Sequence, residues 1–416
     1  MARRRRVAVT GVGLVSSLGN DYTEVAGKLQ RGESGVRAMP QWREHGLKSL
    51  VGGAVQVDGA RAEELSPKLR PALSPAGLHI VLAAIDAVRD ARLGDDDLRS
   101  SRTACLAGCG VAGAEAIHKA ASLLYANKPQ LISPYTVLRS MTSQPSAMVA
   151  FALGIRGRTY SVSSACATSA HAIGHGYELI QAGKVDRALV GGAEDFGELQ
   201  ICALEALRVA LSTHFNDRPQ AASRPYDSRR DGFVASGGAG IVVLEAMDLA
   251  LARKAHIRGE VVGFGANCDN FDLVAPDPQG RQAAQCIAQA LEDAEVHPHE
   301  IGYINTHGTS TPLGDGAEIT AIRSVFRGEV PPLSSTKSMT GHALGAAGVH
   351  EAIYCLAMME GGFIAPSINI ESPDPAFADL PISTRPQAAA IGICMSNSFG
   401  FGGANACLIL KRAPQE

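Results

Sequence analysis

Short apolar runs alternate along this chain with longer stretches in which apolar residues recur every three or four positions. Val7-Ala8-Val9-Thr10-Gly11-Val12-Gly13-Leu14-Val15 reads as a buried strand with a glycine turn. Leu78, Val81, Leu82, Ile85 and Val88 follow helical spacing and predict an amphipathic helix. Thr103-Ala104-Cys105-Leu106-Ala107 predicts a strand ending in Gly108-Cys109-Gly110. A β-like run, Arg158 to Val162, leads into Ser163-Ser164-Ala165-Cys166-Ala167-Thr168-Ser169-Ala170, behind which Ile173, Tyr177 and Ile180 repeat at helical spacing. Arg187 to Val190 is a further strand, closed by Gly191-Gly192. Strand, helix and strand in that order imply a parallel, right-handed crossover.

The pattern then restarts. A charged turn, Asp227 to Phe233, precedes a strand Ala239–Glu245 and a helix around Leu249 to Lys254, after which Gly259-Glu260-Val261-Val262-Gly263-Phe264-Gly265 echoes the opening strand. A helix near Ala283 to Ala294, a strand Gly302–Asn305, a helix near Gly316 to Phe326, a strand Pro332–Ser334 and a helix Leu344–Met359 follow. A last strand, Ile391 to Met395, runs into the glycine loop Asn397 to Asn405. The expectation is an α/β chain of two similar halves, 1–255 and 256–416, fused into one core without a Pro-, Ser- or charge-rich linker.

Composition narrows the class. The 416 residues are 46% hydrophobic and 19% charged with 45 glycines, a compact globular profile. A net charge of −3 argues against nucleic-acid binding by counterion release. The basic run Arg3 to Arg6 directly precedes a strand and reads as a solvated flank. No apolar run approaches the roughly 18–20 residues that span a bilayer, and the start lacks a signal-peptide core, so a cytoplasmic protein is expected. Nine scattered cysteines contain no CxxC pair, which indicates neither a disulfide framework nor a metal site.

Three loops carry candidate catalytic side chains and a fourth is rich in glycine, each at the end of an expected strand, where α/β sheets gather their working groups. Cys166 stands where a strand turns into a helix of small residues; the helix N-terminus would lower its pKa and favour a nucleophile. A buried structural cysteine explains the local sequence equally well. His307 lies in Asn305-Thr306-His307-Gly308-Thr309-Ser310-Thr311-Pro312, and His342 in Thr336-Lys337-Ser338-Met339-Thr340-Gly341-His342-Ala343-Leu344-Gly345. A lone histidine is most often a surface or turn residue; two, flanked by Gly and Thr at strand ends, weaken that reading. The glycine loop Asn397-Ser398-Phe399-Gly400-Phe401-Gly402-Gly403-Ala404-Asn405 can be a plain hairpin or can offer an N–H to an oxyanion. A phosphate cradle fits it poorly.

Together these motifs resemble the β-ketoacyl-[acyl carrier protein] synthases of the thiolase superfamily, and within them the KAS I/II group, closest to KAS I. The likeness runs from Val9 to Asn405. It implies a thiolase-like fold, two related halves forming a five-layered α-β-α-β-α core, paired as a homodimer. It implies decarboxylative condensation of an acyl-enzyme thioester with malonyl-[acyl carrier protein] in fatty acid elongation, without metal or organic cofactor. On this resemblance Cys166 carries the acyl chain, and His307 and His342 support decarboxylation, His307 also handling the water or bicarbonate step. Lys337 holds the pair, and Asp315 and Glu351 are supporting acids. The N–H groups of Cys166 and Phe401 form the oxyanion hole, Phe401 gates the pocket, and Phe399 stands beside it in the glycine loop. Val111, Thr309 and Thr311 fall at the substrate pocket. An acidic carrier protein requires a basic face, which Lys68, Arg70 and Lys128 match only loosely.

Two departures fall near the expected pocket floor. Val111 stands where KAS I enzymes tend to have glycine. Thr142-Ser143-Gln144-Pro145 is unlike the small-residue run expected after the interface stretch Pro134–Met141. Alternatives are a polyketide or polyene condensing enzyme with the same machinery, and a thiolase, whose second cysteine could only be Cys394. A KAS III-type enzyme would show Cys-His-Asn, and a chain-length factor would lack the nucleophile.

Overall fold

A computed structural model describes residues 4–208 and 210–413. Arg3, the first residue of the basic run, lies outside them. Ten strands form one mixed sheet. The first half supplies β1 (Val7–Val15), β2 (Thr103–Cys109), β3 (Thr159–Tyr160), β4 (Arg187–Glu194) and β5 (Gly238–Ala246). The second supplies β6 (Gly259–Cys268), β7 (Tyr303–Asn305), β8 (Leu333–Ser334), β9 (Ile393–Gly400) and β10 (Ala404–Arg412).

The spatial order is β8-β7-β9-β10-β6-β1-β5-β4-β2-β3. Read inward from either edge, each half has the same order: third strand, second, fourth, fifth, first. Directions repeat as well. The second strand is parallel to the third and fourth, and the fifth is antiparallel to the fourth and first. The halves join where Val7–Val9 pairs antiparallel with Gly259–Val261, and Arg6 grips Glu260 through two hydrogen bonds of 2.7 and 2.9 Å across that seam.

Five layers follow from the faces these strands bury. Helix α1 (Pro75–Ala91) covers the outer face of the first half. Helices α2 (Thr168–Gln181) and α5 (Ala347–Gly361) lie between the two halves and touch strands of both. Helices α3 (Arg281–Ala294) and α4 (Pro312–Phe326) cover the far side. Three apolar clusters fill the interfaces: Ile80, Val81 and Ile241 outside the first half; Val9, Ile173, Ile353 and Leu408 in the middle; Ile287, Ile322 and Ile409 outside the second. Strands buried on both faces read as unbroken apolar runs, which is why they were legible.

The glycines expected to turn the chain instead lie inside strands. A Cβ on Gly13 would sit 2.0 Å from the Ala83 carbonyl of α1, and one on Gly265 would sit 2.1 Å from the Cys286 carbonyl of α3. Their bareness lets a helix pack directly on the strand backbone at equivalent places in both halves. Gly191 and Gly192 likewise fall within β4, which runs on to Glu194. The run Arg158–Val162 is strand only at Thr159–Tyr160, and the helix expected from Leu344 begins with a tight turn, Leu344–Ala346.

Gly13→Ala is expected to lower stability by about 1–3 kcal/mol through overpacking against α1. Gly316→Ala, where an added Cβ meets open space on α4, should raise it by about 0.5–1 kcal/mol. Denaturant unfolding midpoints check the contrast.

Candidate active site

Each of the three loops turns on a non-glycine residue in the left-handed region: Ala165 at φ 49°, Ser310 at φ 74° and Leu344 at φ 47°. Such corners cost about 1–2 kcal/mol each and persist only where their surroundings hold them. At the first, Ala165–Ala167 makes one tight turn before α2, so Cys166 projects from an elbow between strand and helix. The Ser164 amide donates to Thr168 Oγ1 at 2.8 Å. At the second, the His307 and Gly308 amides both donate to Glu318, at 2.8 Å each, while Ser310 N donates to Asp315 at 3.1 Å. At the third, a short helix Lys337–Thr340 follows β8 and His342 N donates to the Val234 carbonyl at 2.7 Å.

The three loops meet. His342 Nε2 lies 3.0 Å from Cys166 Sγ. The His307 and His342 rings stand edge to face with centroids 5.2 Å apart. Phe233 packs against His342 at 5.3 Å, and Phe399 lies 6.0 Å from His307. One donor atom from each of Cys166, His307 and His342 falls within 4.8 Å of the others, the one group among the described residues close enough to hold a metal ion. All three side chains open into a cavity of about 730 Å³, which Thr309, Thr311, Phe399 and Phe401 also line. The Thr309 and Thr311 hydroxyls are 3.0 Å apart. The glycine loop is a tight β9–β10 hairpin, Phe401–Gly403, and the amides of Phe401 and Cys166 lie near enough to the thiol to favour its ionised form.

Comparison with known proteins agrees with this arrangement. The family model for the β-ketoacyl synthase N-terminal domain matches residues 4–250, and that for the C-terminal domain matches 258–371. The chain is 44% identical over 410 residues to the 3-oxoacyl-[acyl-carrier-protein] synthase 1 of Haemophilus influenzae, covering 98% of this chain and 99% of that protein. The chain belongs to the β-ketoacyl synthase family. A β-ketoacyl synthase from Burkholderia phymatum superposes with a TM-score of 0.93 at 34% identity, covering 99% and 100% of the two chains. A type II polyketide ketosynthase in complex with its acyl-carrier protein superposes at 0.89 and 30% identity, with the same coverage.

The electrostatics of the synthase site differ from expectation at the cysteine. Burial pushes the Cys166 thiol up to about 12, and the Glu194 carboxylate adds to the rise; Lys337 and the two amides pull only part of it back. Burial thus opposes the lowering expected from the helix end. Burial, and then Lys337, hold both histidines well below the usual imidazole value, so both rings are neutral at neutral pH. Lys337 donates to Glu351, both being almost fully buried. Burial raises Glu351 to about 7 while that lysine opposes the rise.

Asp315 braces the His307 loop: it holds the Ser310 corner and the Tyr226 amide and faces Arg230 at 3.4 Å. The structure places two expected pocket residues elsewhere. Val111 lines a separate cavity of about 180 Å³ rather than the one containing Cys166. Gln144 lines neither; it is a buried brace between Ser74, Ala72 and Leu138. Two acids were missed. Glu318 carries the His307 turn and also accepts from Asn397 Nδ2 at 3.1 Å. Glu194 ends β4 and accepts four hydrogen bonds. Each left a signal, an acid set inside an apolar run: Ala317-Glu318-Ile319 and Gly191-Gly192-Ala193-Glu194.

A neutral buried histidine makes the fold sensitive to acid. Below about pH 6.5 the unfolded chain binds a proton that folded His342 refuses, so stability falls as pH drops, by up to about 1.4 kcal/mol per pH unit for each such group. The stability difference between the wild type and His342→Asn should therefore be flat above pH 7 and move against the wild type between pH 6.5 and 4.5. Urea unfolding across that range measures it.

Proposed function

We propose that this synthase condenses an acyl group held on Cys166 with malonyl-[acyl carrier protein], giving 3-oxoacyl-[acyl carrier protein] and CO2 in fatty acid elongation. One observation carries the reading: a buried thiol and two neutral imidazoles converge on one cavity, with two amides near the sulfur. In the first stage Sγ attacks the acyl thioester, and the N–H groups of Cys166 and Phe401 receive the developing oxyanion. The thiol's proton passes to the departing carrier sulfur, which leaves as a thiol. In the second stage the malonyl C–CO2 bond breaks and CO2 leaves. The electron pair remains as an enolate whose oxygen accepts N–H donation from His307 and His342. That carbon attacks the Cys166 thioester, the C–S bond breaks, and the thiolate that leaves takes up one proton from solvent. Neutral rings suit this task, since they can donate without first losing a charge. Lys337 and Glu351 keep the histidine wall in place.

The 44% likeness to a 3-oxoacyl-[acyl-carrier-protein] synthase 1 over nearly the whole chain favours that pathway over the polyketide reading, which the structural neighbours keep as the second choice. A thiolase is disfavoured because Cys394 is sealed in the core 3.9 Å from Met359. The chain is read as two thiolase-like halves, 1–255 and 256–416, a division supported by the repeated strand order. A homodimer across the β3 edge is supported by Val111, Ile117, Leu124, Tyr125, Val137, Phe151 and Tyr160, all exposed apolar or aromatic residues between 111 and 160. Lys68, Arg70 and Lys128 are exposed and remain the proposed carrier face; Lys68 already lies over the Phe151 ring. No helix among the described residues is long and apolar enough to cross a membrane, which suits the expected cytoplasmic location.

Cys166→Ala should abolish self-acylation and elongation, read by intact mass after incubation with acyl carrier proteins of graded chain length. His307→Ala and His342→Ala should each slow malonyl decarboxylation about 10²–10³-fold while Cys166 still loads. Loss of loading instead would reverse the assigned roles. The series of chain lengths accepted by the wild type would separate the two pathways.

A further inference from the structure

Cys166, His307 and His342 sit on three loops far apart in the chain, so no sequence spacing marks them as ligands. Brought together, they offer one donor atom each within 4.8 Å of the others. A thiolate with two imidazoles is the donor set that zinc(II) and cobalt(II) select, whereas magnesium and calcium prefer oxygen. Both rings are neutral, so a nitrogen lone pair on each is available. The left-handed corners at Ala165, Ser310 and Leu344 hold the loops, so the three donors converge before any ion arrives.

The cavity in front of them favours a cation as well. Its lining holds five carboxylates, Asp231, Asp269, Asp272, Asp277 and Glu318, against one guanidinium, Arg208. It runs out to Asp272 and Leu313, both exposed, which gives an ion a path from solvent. A water there can fill a fourth position, completing a site of three protein ligands and one open place. We propose that Cys166, His307 and His342 form a reversible site for a zinc-class divalent cation, and that the bound ion closes Cys166 to acylation. Binding rests on the geometry of the three donors; its effect on acylation rests on the condensing activity proposed above. The metal–sulfur bond forms as the S–H bond breaks, and the proton passes to solvent. The ion takes no part in the condensation.

Three features keep such an ion exchangeable. Tetrahedral zinc sets a sulfur and a nitrogen ligand about 3.5 Å apart, while Cys166 Sγ and His342 Nε2 lie at 3.0 Å, so the pair must part by about half an ångström. The Nδ1 atoms of both histidines are buried without a hydrogen-bond partner. A ring bound through Nε2 carries its proton on Nδ1, and a ring that lacks an acceptor there loses about 10–100-fold in metal affinity. Lys337, close enough to hold down the pKa of both rings, repels the incoming charge.

The experiment titrates the untagged full-length protein with Co2+, whose spectrum reports its ligands, and then adds Zn2+. Wild type is compared with Cys166→Ser, His307→Ala, His342→Ala and a surface control, His297→Gln/His299→Gln. The exposed rings of His297 and His299 stack 5.5 Å apart and are the surface pair most apt to capture a metal. The expected result is a single cobalt ion per chain with a thiolate-to-metal charge-transfer band that Zn2+ abolishes. The band should be absent in Cys166→Ser, should need about tenfold more Co2+ or above in each histidine variant, and should be unchanged in the surface control. In parallel, Zn2+ should slow iodoacetamide alkylation of Cys166 in wild type by about tenfold or more. Peptide masses read this rate against the exposed Cys202 and Cys268, whose rates should not change. A band that survives in Cys166→Ser, a band lost in the surface control, or Cys166 alkylation indifferent to Zn2+ would overturn the proposal. If a variant fails to fold, the protection of Cys166 in wild type decides by itself. Zn2+ should also block loading of wild type from an acyl carrier substrate, and EDTA should restore it; loading indifferent to bound Zn2+ would overturn the claim of closure. A metal-free wild type that never loads would sink the condensing reading, an outcome distinct from the cobalt band and the alkylation rates, which decide the metal site without it.

Discussion

The site depends on one constraint above others: amides turned inward at strand ends need acceptors, and buried carboxylates supply them. Three loops leave the sheet, pass through left-handed corners and point the side chains of Cys166, His307 and His342 at one another, with their bent backbone turned into the protein interior. Glu318 takes two amides of the His307 turn, Asp315 takes the Ser310 and Tyr226 amides, and Glu194 takes those around Gly345. Each acid is fully or almost fully buried and raised by desolvation, so each anchor rests on the hydrogen bonds it accepts. The same dryness keeps the histidines neutral and the thiol protonated. Loop shape and chemical state thus share one cause.

Much of the fold was legible because both faces of the sheet are covered, so strands announce themselves as apolar runs and surface helices by their period. What misled was glycine. A glycine pair in an apolar run reads as a turn, yet at Gly11 and Gly13 it marks a helix lying on the strand, a contact with a residue some 70 positions away that local pattern does not contain. Cys166 and both histidines were readable as a set because their loops are long and unusual. Glu318 and Glu194 were missed because an acid within an apolar run is ambiguous until its partners are known. Val111 and Gln144 were placed by likeness alone; side-chain direction and the braces around Gln144 decide their true setting. The depth of burial of the thiol was not legible because desolvation depends on packing from both halves.

The two halves share a strand order but divide the work. The nucleophile elbow follows the third strand of the first half, and the His342 turn follows the third strand of the second. Each then enters a central helix, α2 or α5, through a turn of three residues that begins on a left-handed residue. The reacting groups therefore face each other across the seam, and neither half alone encloses the cavity.

That correspondence has a chemical consequence. Superimposing the turn Leu344-Gly345-Ala346 on Ala165-Cys166-Ala167 puts Gly345 where the other half has Cys166. The second elbow is thus a twin without a sulfur. Its amide donates to a carboxylate oxygen of Glu194 at 2.9 Å. The second turn therefore keeps its helix entrance and its amide but spends that amide on a side chain of the first half, and it has no thiol to carry an acyl group.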